Sequence, residues 1–187
     1  MLATLRSAQR WGLLGARPVE EVVEHAREFV RALVELDATS TDAGGLPTSS
    51  SPRRWTVVDI GSGGGVPGLI VAHDRPDLAV TLVDRRQKCT DFLERAVAAL
   101  GLREHVTVRC CDAKALIMAG DRFDAVTARG FGPPSQTLRA AVDLVRPDGR
   151  ILISEPPEGD RWSLDELGAL GLTRRRLGAV AVFTRAS

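Results

Sequence analysis

A short strand-like run, Thr56–Ile60, feeds straight into Gly61-Ser62-Gly63-Gly64-Gly65, and a helix-like run follows from Pro67 to His73. That order constrains the fold more than any other feature of the chain. Glycines let a backbone turn sharply at the end of a strand and approach a ligand closely, and doubly wound sheets bind ligands at the carboxyl ends of their strands. The rest of the chain repeats the alternation. Further strand-like runs are Ala79–Asp84, Val106–Cys110, Phe123–Ala128 and Arg150–Ser154. Helix-like runs stand at Arg86–Leu100 and Ser135–Val145, with a short connection around Lys114–Met118. This pattern predicts an α/β fold, a doubly wound Rossmann-like parallel sheet with helices on both faces. Beyond Ser154, Ser163–Leu170 reads as a helix, and Leu172–Leu177 with Val180–Arg185 as a terminal strand pair turning at Gly178.

Ahead of this body, Val19, Val22, Val23, Ala26, Phe29, Val30, Leu33 and Leu36 recur at helical spacing and predict one buried stripe. Pro18 suits a first turn, and Glu20 and Glu21 suit the positive end of the helix dipole. Thr39–Arg54 is rich in Ser, Thr, Gly and Pro and reads as a mobile linker. The expected division is an N-terminal helical extension over 1–38, a linker over 39–54 and a catalytic domain over 55–187. A chain of 187 residues suits one such domain with a modest extension. The formal net charge of +1 excludes a global basic field, so any contact with nucleic acid must be local. Three cysteines, Cys89, Cys110 and Cys111, form neither a disulfide framework nor a zinc pattern, and no metal is expected. Cys110 and Cys111 read as small core or edge residues. Neither a leader nor an apolar run of membrane-spanning length is visible, so a cytoplasmic location and a monomer, away from membranes, are expected.

The glycine loop is ambiguous by itself, because Gly63-x-Gly65-x-x-Gly68 also satisfies the dinucleotide fingerprint. The acids around it favour S-adenosylmethionine (SAM). Asp59, two residues before Gly61, would repel a pyrophosphate but can help hold the cationic methionine end of SAM, directly or through water. Asp84 ends the second strand, where a carboxylate can accept both ribose hydroxyls, a feature that NAD proteins share. Asp112 ends the third strand and is placed to accept from the adenine amino group.

With these residues in view, the chain resembles the bacterial 16S rRNA guanine-N7 methyltransferases, the glucose-inhibited division protein B family. The resemblance is carried by Asp59-Ile60-Gly61-Ser62-Gly63-Gly64-Gly65-Val66-Pro67-Gly68-Leu69, in which Val-Pro-Gly is the distinctive part. It continues through Leu82-Val83-Asp84, Lys88, Phe92-Leu93 and Leu100, and returns at Phe123-Asp124-Ala125-Val126, Arg129 and Phe131. His25 stands where the family has a histidine on its N-terminal helix. The resemblance implies SAM contacts at Gly61, Val66, Ala113 with Lys114, and Arg129, the last beside the reactive end and the target base. It implies small-subunit rRNA as the partner. The chain departs from the family at several places. Asp112 and Lys114 replace an Arg and a Glu, Ser154-Glu155-Pro156-Pro157 replaces a Lys-Gly pair, Gly12-Leu13-Leu14-Gly15 replaces an Asn-Leu-Thr segment, and Arg27 with Glu28 replaces an Asp-Ser.

The candidate site is therefore Asp59, Gly61, Gly63, Gly65, Val66, Asp84, Asp112, Ala113, Lys114 and Arg129, with Arg129 at the reaction centre and His25 facing it. His73 and His105 read as surface residues. Arg53, Arg54, Arg85, Arg86, Lys88 and Arg174-Arg175-Arg176 are candidate phosphate contacts. Aromatic residues make up only 4% of the chain, so base stacking on an aromatic platform is not an expected theme. Three other readings stay open: a relative that has moved to another RNA or a small molecule, a non-catalytic SAM-binding or RNA-binding protein, and an NAD-dependent oxidoreductase.

Overall fold

The computed structural model describes residues 1–40, 54–156 and 161–186, the side chains of 35–40 excepted. In chain order the elements are α1 (Leu2–Arg10), α2 (Val19–Ser40), β1 (Thr56–Ile60), α3 (Gly68–Asp74), β2 (Ala79–Asp84), α4 (Gln87–Ala99) and β3 (Val106–Cys110). Then follow α5 (Ala113–Met118), β4 (Phe123–Ala128), α6 (Pro134–Leu144), β5 (Val145–Ser154), α7 (Leu164–Ala169), β6 (Leu172–Leu177) and β7 (Val180–Arg185).

The strands form one seven-stranded sheet in the order β3-β2-β1-β4-β5-β7-β6. β1 to β5 run parallel, and β7 and β6 complete the edge in antiparallel pairing. The expected doubly wound α/β fold is therefore present, with an antiparallel pair added to it. β7 slots between β5 and β6, because its run of buried Val180, Ala181, Val182 and Phe183 suits an interior strand, whereas β6 carries Arg174, Arg175 and Arg176.

The alternation of side chains along each strand separates two cores. On one face Val57, Val80, Leu82 and Ala125 meet Phe29 and Leu33 of α2, Leu69 of α3, and Phe92 and Leu93 of α4. On the other face Val58, Val83, Val126 and Ile151 meet Leu116 of α5, Leu138 and Leu144 of α6, and Leu167 of α7. β1 and β4 lie at the centre, where the chain reverses its winding. A ligand crevice opens at the carboxyl ends of such a pair.

The N-terminal helices are part of the first core. Leu5 and Ala8 of α1 and Ala26 and Phe29 of α2 are fully buried. The stripe expected on α2 holds through Leu33, with Val30 half-buried against it, while Leu36 lies among the side chains outside the description. The helix runs to Ser40, beyond the expected Leu36. Pro18 stands just ahead of the helix, its carbonyl accepting from the Val22 N–H at 3.1 Å. The expected linker falls almost wholly outside the described residues. α1 has only nine residues, too few to be stable alone. Its packing against α2 and the glycine loop, and not local propensity, holds it.

Truncating Phe29 tests whether α2 belongs to the main core. Phe29→Ala is expected to lower the unfolding free energy by about 3–5 kcal/mol in urea titration. A loss below about 1 kcal/mol would make α2 a separable extension.

Candidate functional site

A cleft of about 880 Å³ opens at the carboxyl ends of β1 to β4, lined in part by Gly61, Asp84, Arg86, Asp112, Ala113, Lys114 and Phe131. A smaller hollow of about 240 Å³ lies between α1, α2 and α3 and holds none of the candidate residues. Gly61 takes a φ of +70° at the end of β1, a conformation that side chains rarely tolerate.

Asp84 closes β2 with its carboxylate already engaged. Oδ2 accepts from the Gly63 N–H at 2.9 Å, and Oδ1 from the Arg86 N–H at 3.0 Å and Arg86 Nε at 3.2 Å. Burial opposes its ionisation, but Arg86 and these N–H groups outweigh burial and hold the carboxyl below its ordinary range. The charged form therefore persists at the lip of the cleft. Asp112 caps α5, its Oδ1 accepting from the Lys114 N–H at 2.9 Å. It is exposed on the cleft, and Ala113 lies buried beside it. The backbone turn at Asp112–Lys114 thus presents one carboxylate and one apolar wall to the same space.

Asp59 is the departure from expectation. It is 1% exposed and lies beneath the loop instead of lining the cleft. Its Oδ1 accepts from Thr127 Oγ1 at 2.8 Å and its Oδ2 from the Gly68 N–H at 3.3 Å. Burial pushes this carboxyl up to about 6, against the opposing pull of Thr127, Ser62, Gly68 and Arg129. Arg129 follows β4, half-buried, and is not among the residues lining the cleft. Among the described residues it makes no hydrogen bond or ion pair within bonding distance, and its electrostatic neighbours are Asp59 and Arg17. Burial lowers its affinity for the proton, which Asp59 partly restores. His25 is half-buried on α2 and meets Phe29 edge-on at 6.1 Å. Burial pushes its imidazole down and the Arg129 charge adds to this, so the ring is held neutral beside the β4 end.

Gly63, Gly65 and Val66 do not line the cleft. A Cβ on Gly63 would approach the Leu13 carbonyl oxygen at 3.7 Å, and one on Gly65 would strike Leu69 at 2.2 Å. Val66 is buried against α1 and α2. These residues shape the loop from behind. Lys88 does the same, donating to the Trp11 carbonyl at 2.8 Å. Arg95 lies over the Trp11 ring at 4.5 Å. Of the other basic candidates, Arg85 and Arg86 line the cleft, Arg54 is exposed, and Arg53 lies outside the described residues. Arg174 and Arg176 stand 3.9 and 3.8 Å from buried Glu155. His73 is exposed and His105 half-buried on the Ala72 carbonyl. Cys110 is exposed at the edge strand, and Cys111 lines the cleft. Among the described residues no group of three metal-capable side chains comes together, and no helix is long and apolar enough to cross a membrane.

Three residues outside the candidate set shape the site. Ser62 stitches β1 to β2, its N–H donating to the Val83 carbonyl at 2.9 Å and its Oγ to the Asp59 carbonyl at 2.8 Å. A Cβ on Gly68 would meet Leu82 at 2.4 Å and Asp59 Oδ2 at 2.6 Å, so only glycine lets α3 sit so close to the sheet. Phe131 presses against Gly61 and lines the cleft. Periodicity carries no trace of it, because Phe131 lies on the irregular segment between β4 and α6.

Residues 5–156 match the sequence model of the family described as rRNA small subunit methyltransferase G. A protein named ribosomal RNA small subunit methyltransferase G from Sorangium cellulosum is 37% identical over 160 residues, covering 84% of this chain and 61% of that protein. A namesake from Mycolicibacterium smegmatis is 34% identical over 181 residues, covering 90% and 68%. Another from a Nocardioides species is 44% identical over 102 residues, covering 54% and 40%. The chain thus spans about half the length of several curated relatives it matches. Among solved structures, a candidate O-methyltransferase from Klebsiella pneumoniae aligns with a TM-score of 0.66 at 16% identity, covering 99% of this chain and 89% of that one. An O-methyltransferase family protein from Burkholderia thailandensis aligns with a TM-score of 0.55 at 17% identity, covering 83% and 56%. At these identities the likeness is one of fold.

The buried Asp59 carboxyl has a measurable consequence. In the unfolded chain it titrates near its ordinary 3.8, and in the fold near about 6. Between those values the native state holds a proton that the unfolded chain releases. Its contribution to stability is complete below about pH 4 and is lost as pH rises through about 6. The shift corresponds to at most about 3 kcal/mol. Unfolding titrations of the wild type and Asp59→Asn should show the wild type losing ground to the variant between pH 4 and 7. A pH-independent difference would place Asp59 in contact with water.

Proposed function

The chain belongs to the rRNA small subunit methyltransferase G family, and on that premise we propose that it is a SAM-dependent methyltransferase acting on guanine N7 in small-subunit rRNA. The observation that carries this reading is the cleft at the β1–β4 reversal, with Asp112, Asp84 and Gly61 at the successive ends of β3, β2 and β1. The donor set suits SAM. Asp84 offers a persistently ionised carboxylate to two vicinal hydroxyls. Asp112 retains Oδ2 to accept from an exocyclic amine, and the Ala113 wall suits the flat apolar face of a purine. The half-buried Arg129 guanidinium, with no bonded partner among the described residues, follows β4 and is proposed to stand at the methionine end, beside the reactive sulfonium. Asp59 supports that end from below, setting Thr127 and Gly68 in place.

Bound there, SAM supplies an electrophilic methyl group on a sulfonium. Guanine N7 has an in-plane lone pair and no proton to lose, so its attack needs no general base. What the chain supplies is in-line placement of the two reactants, which can account for a large share of the rate. Arg129 and the neutral His25 border the point where the base would enter. The proposed substrate puts the protein in the cytoplasm, working as a monomer on rRNA or on the assembled small subunit. Arg85 and Arg86 at the lip are the proposed first phosphate contacts.

One observation favours a second reading, a family member that has moved to another substrate. Glu155 follows β5 where the family tends to a Lys-Gly pair, and it is buried with Arg161, Arg174 and Arg176 within 4 Å of its carboxylate. Incubation with methyl-labelled SAM and small subunits lacking N7-methylguanosine separates the two. Label recovered as N7-methylguanosine supports the rRNA reading. Intact SAM binding with no label on the subunits favours the second.

Two substitutions test the roles assigned. Asp84→Ala should weaken SAM binding roughly ten- to a hundredfold by calorimetry, the worth of hydrogen bonds to a charged acceptor. Unchanged affinity would remove the ribose from that strand end. Arg129→Ala should lower methyl transfer more than SAM affinity, and an equal loss of both would confine Arg129 to the cofactor pocket.

A further inference from the structure

We propose that Phe131 is the stacking platform for the target guanine, and that its ring stabilises the positive charge the purine gains during transfer. The inference rests on the guanine-N7 reading above and adds the group that receives the base.

Several independent observations converge on this residue. The chain has five phenylalanines, three tryptophans and no tyrosine. Phe29, Phe92, Phe123 and Phe183 are all buried in the cores. Phe131 alone of the five is half-buried, and among the described residues it is the only aromatic lining the cleft. One side of the ring is thus left open to the cleft. Its back is supported, since it packs against the apolar cluster of Val58, Ile60 and Ala128.

Its position is set by glycines on both sides. Phe131 Cδ2 would lie 2.7 Å from a Cβ on Gly61, so the ring occupies the space that the absent side chain leaves at the β1 end. Gly130 and Gly132 flank it. A Cβ on Gly130 would meet nothing within 4 Å, and one on Gly132 only Thr137 Oγ1 at 3.9 Å. The ring is therefore carried on a Gly-Phe-Gly segment whose glycines place no side chain beside it, at the wall of the cleft. It lies two residues beyond Arg129, which itself does not line the cleft.

The chemistry gives the ring its use. The N7 lone pair forms the new C–N bond while the C–S bond breaks and its electron pair returns to sulfur. No proton leaves, so the positive charge passes from sulfur to the purine ring. The negative face of an aromatic ring attracts such a cation, more strongly when both are shielded from water, and the attraction is greater in the transition state than in the neutral substrate. An interaction of that kind raises kcat instead of merely lowering KM.

The full-length chain with S-adenosylhomocysteine is titrated with guanosine 5′-monophosphate and with 7-methylguanosine 5′-monophosphate, and methyl transfer is assayed on small subunits lacking N7-methylguanosine. The wild type is expected to bind the methylated, cationic nucleotide several-fold more tightly than the neutral one. Phe131→Leu, which keeps the apolar contact with Gly61, is expected to erase that preference and to lower kcat roughly tenfold with SAM affinity unchanged. Phe131→Trp is expected to retain both, which shows that the leucine variant fails for want of a ring and not of a fold. A wild type that labels N7 and a leucine variant that labels it equally fast would overturn this proposal and leave the function standing. A leucine variant that loses affinity for SAM but not for S-adenosylhomocysteine would also overturn it, by placing the ring on the sulfonium. A wild type that labels no guanine N7 would overturn the function and this proposal together.

Discussion

Beneath the glycine loop a carboxylate is buried where β1 and β4 meet, and the geometry of the cleft hangs on it. Asp59 lies opposite Thr127 in the parallel register of the two strands. One of its oxygens takes the Thr127 hydroxyl and the other the first amide of α3. A buried carboxylate left short of donors would be costly. With these donors it ties the two central strands to the helix that follows the loop. The same placement explains why Gly68 must lack a side chain, since Asp59 and Leu82 fill the space a Cβ would need.

From that anchor the loop is built in two directions. Ser62 reaches sideways and bonds both the Val83 carbonyl and the Val83 N–H, fixing β1 to β2 at their ends. Gly63 then donates to Asp84, so the acceptor proposed for the ribose is itself part of the loop's scaffold. Behind, the segment between α1 and α2 closes on the loop, with the Leu13 carbonyl beside Gly64 and Trp11 gripped by Lys88 and Arg95. The N-terminal helices thus stiffen the back of a cofactor loop whose front faces the cleft. A ligand meeting Asp84 must share it with Arg86, whose side chain is largely exposed and can turn outward without disturbing the core.

How much of this was legible in the chain depends on distance along the sequence. Strand and helix positions follow from local periodicity, and the runs from Thr56–Ile60 to Val180–Arg185 fold largely as the pattern predicts, although β5 begins at Val145 instead of Arg150 and the connection expected around Lys114–Met118 is the helix α5. α1 left no such trace, because Leu5 and Ala8 are too few to mark a period and are buried by partners far along the chain. The acids at strand ends were legible as a set, but not their division of labour. Asp84 and Asp112 reach the cleft, whereas Asp59 turns to the α3 face, a difference decided by the pleat and by Thr127 some 68 residues away. Gly63 and Gly65 read as cofactor-contacting glycines; Gly65 leaves room for Leu69, whereas Gly63 is distinguished by its φ of +51° and it is Gly64 that leaves room for the Leu13 carbonyl. A glycine in a motif records a close approach without saying what approaches.

The charge distribution limits how such a protein can hold a polyanion. Its arginines are numerous, yet among the described residues many are matched to carboxylates: Arg86 to Asp84, Arg109 to Asp121, Arg146 to Asp124, and Arg174 and Arg176 to Glu155. With a net charge of +1, long-range attraction to a nucleic acid is weak, and counterion release from a broad basic face cannot supply most of the affinity. Selectivity must then come from what the cleft does at short range. Arg129 is a half-buried cation left without a bonded partner among the described residues, and Phe131 is the half-open aromatic in the cleft wall. Both sit at the β4 end, where the structure has given up some burial to keep a charge and a flat apolar surface beside the proposed cofactor.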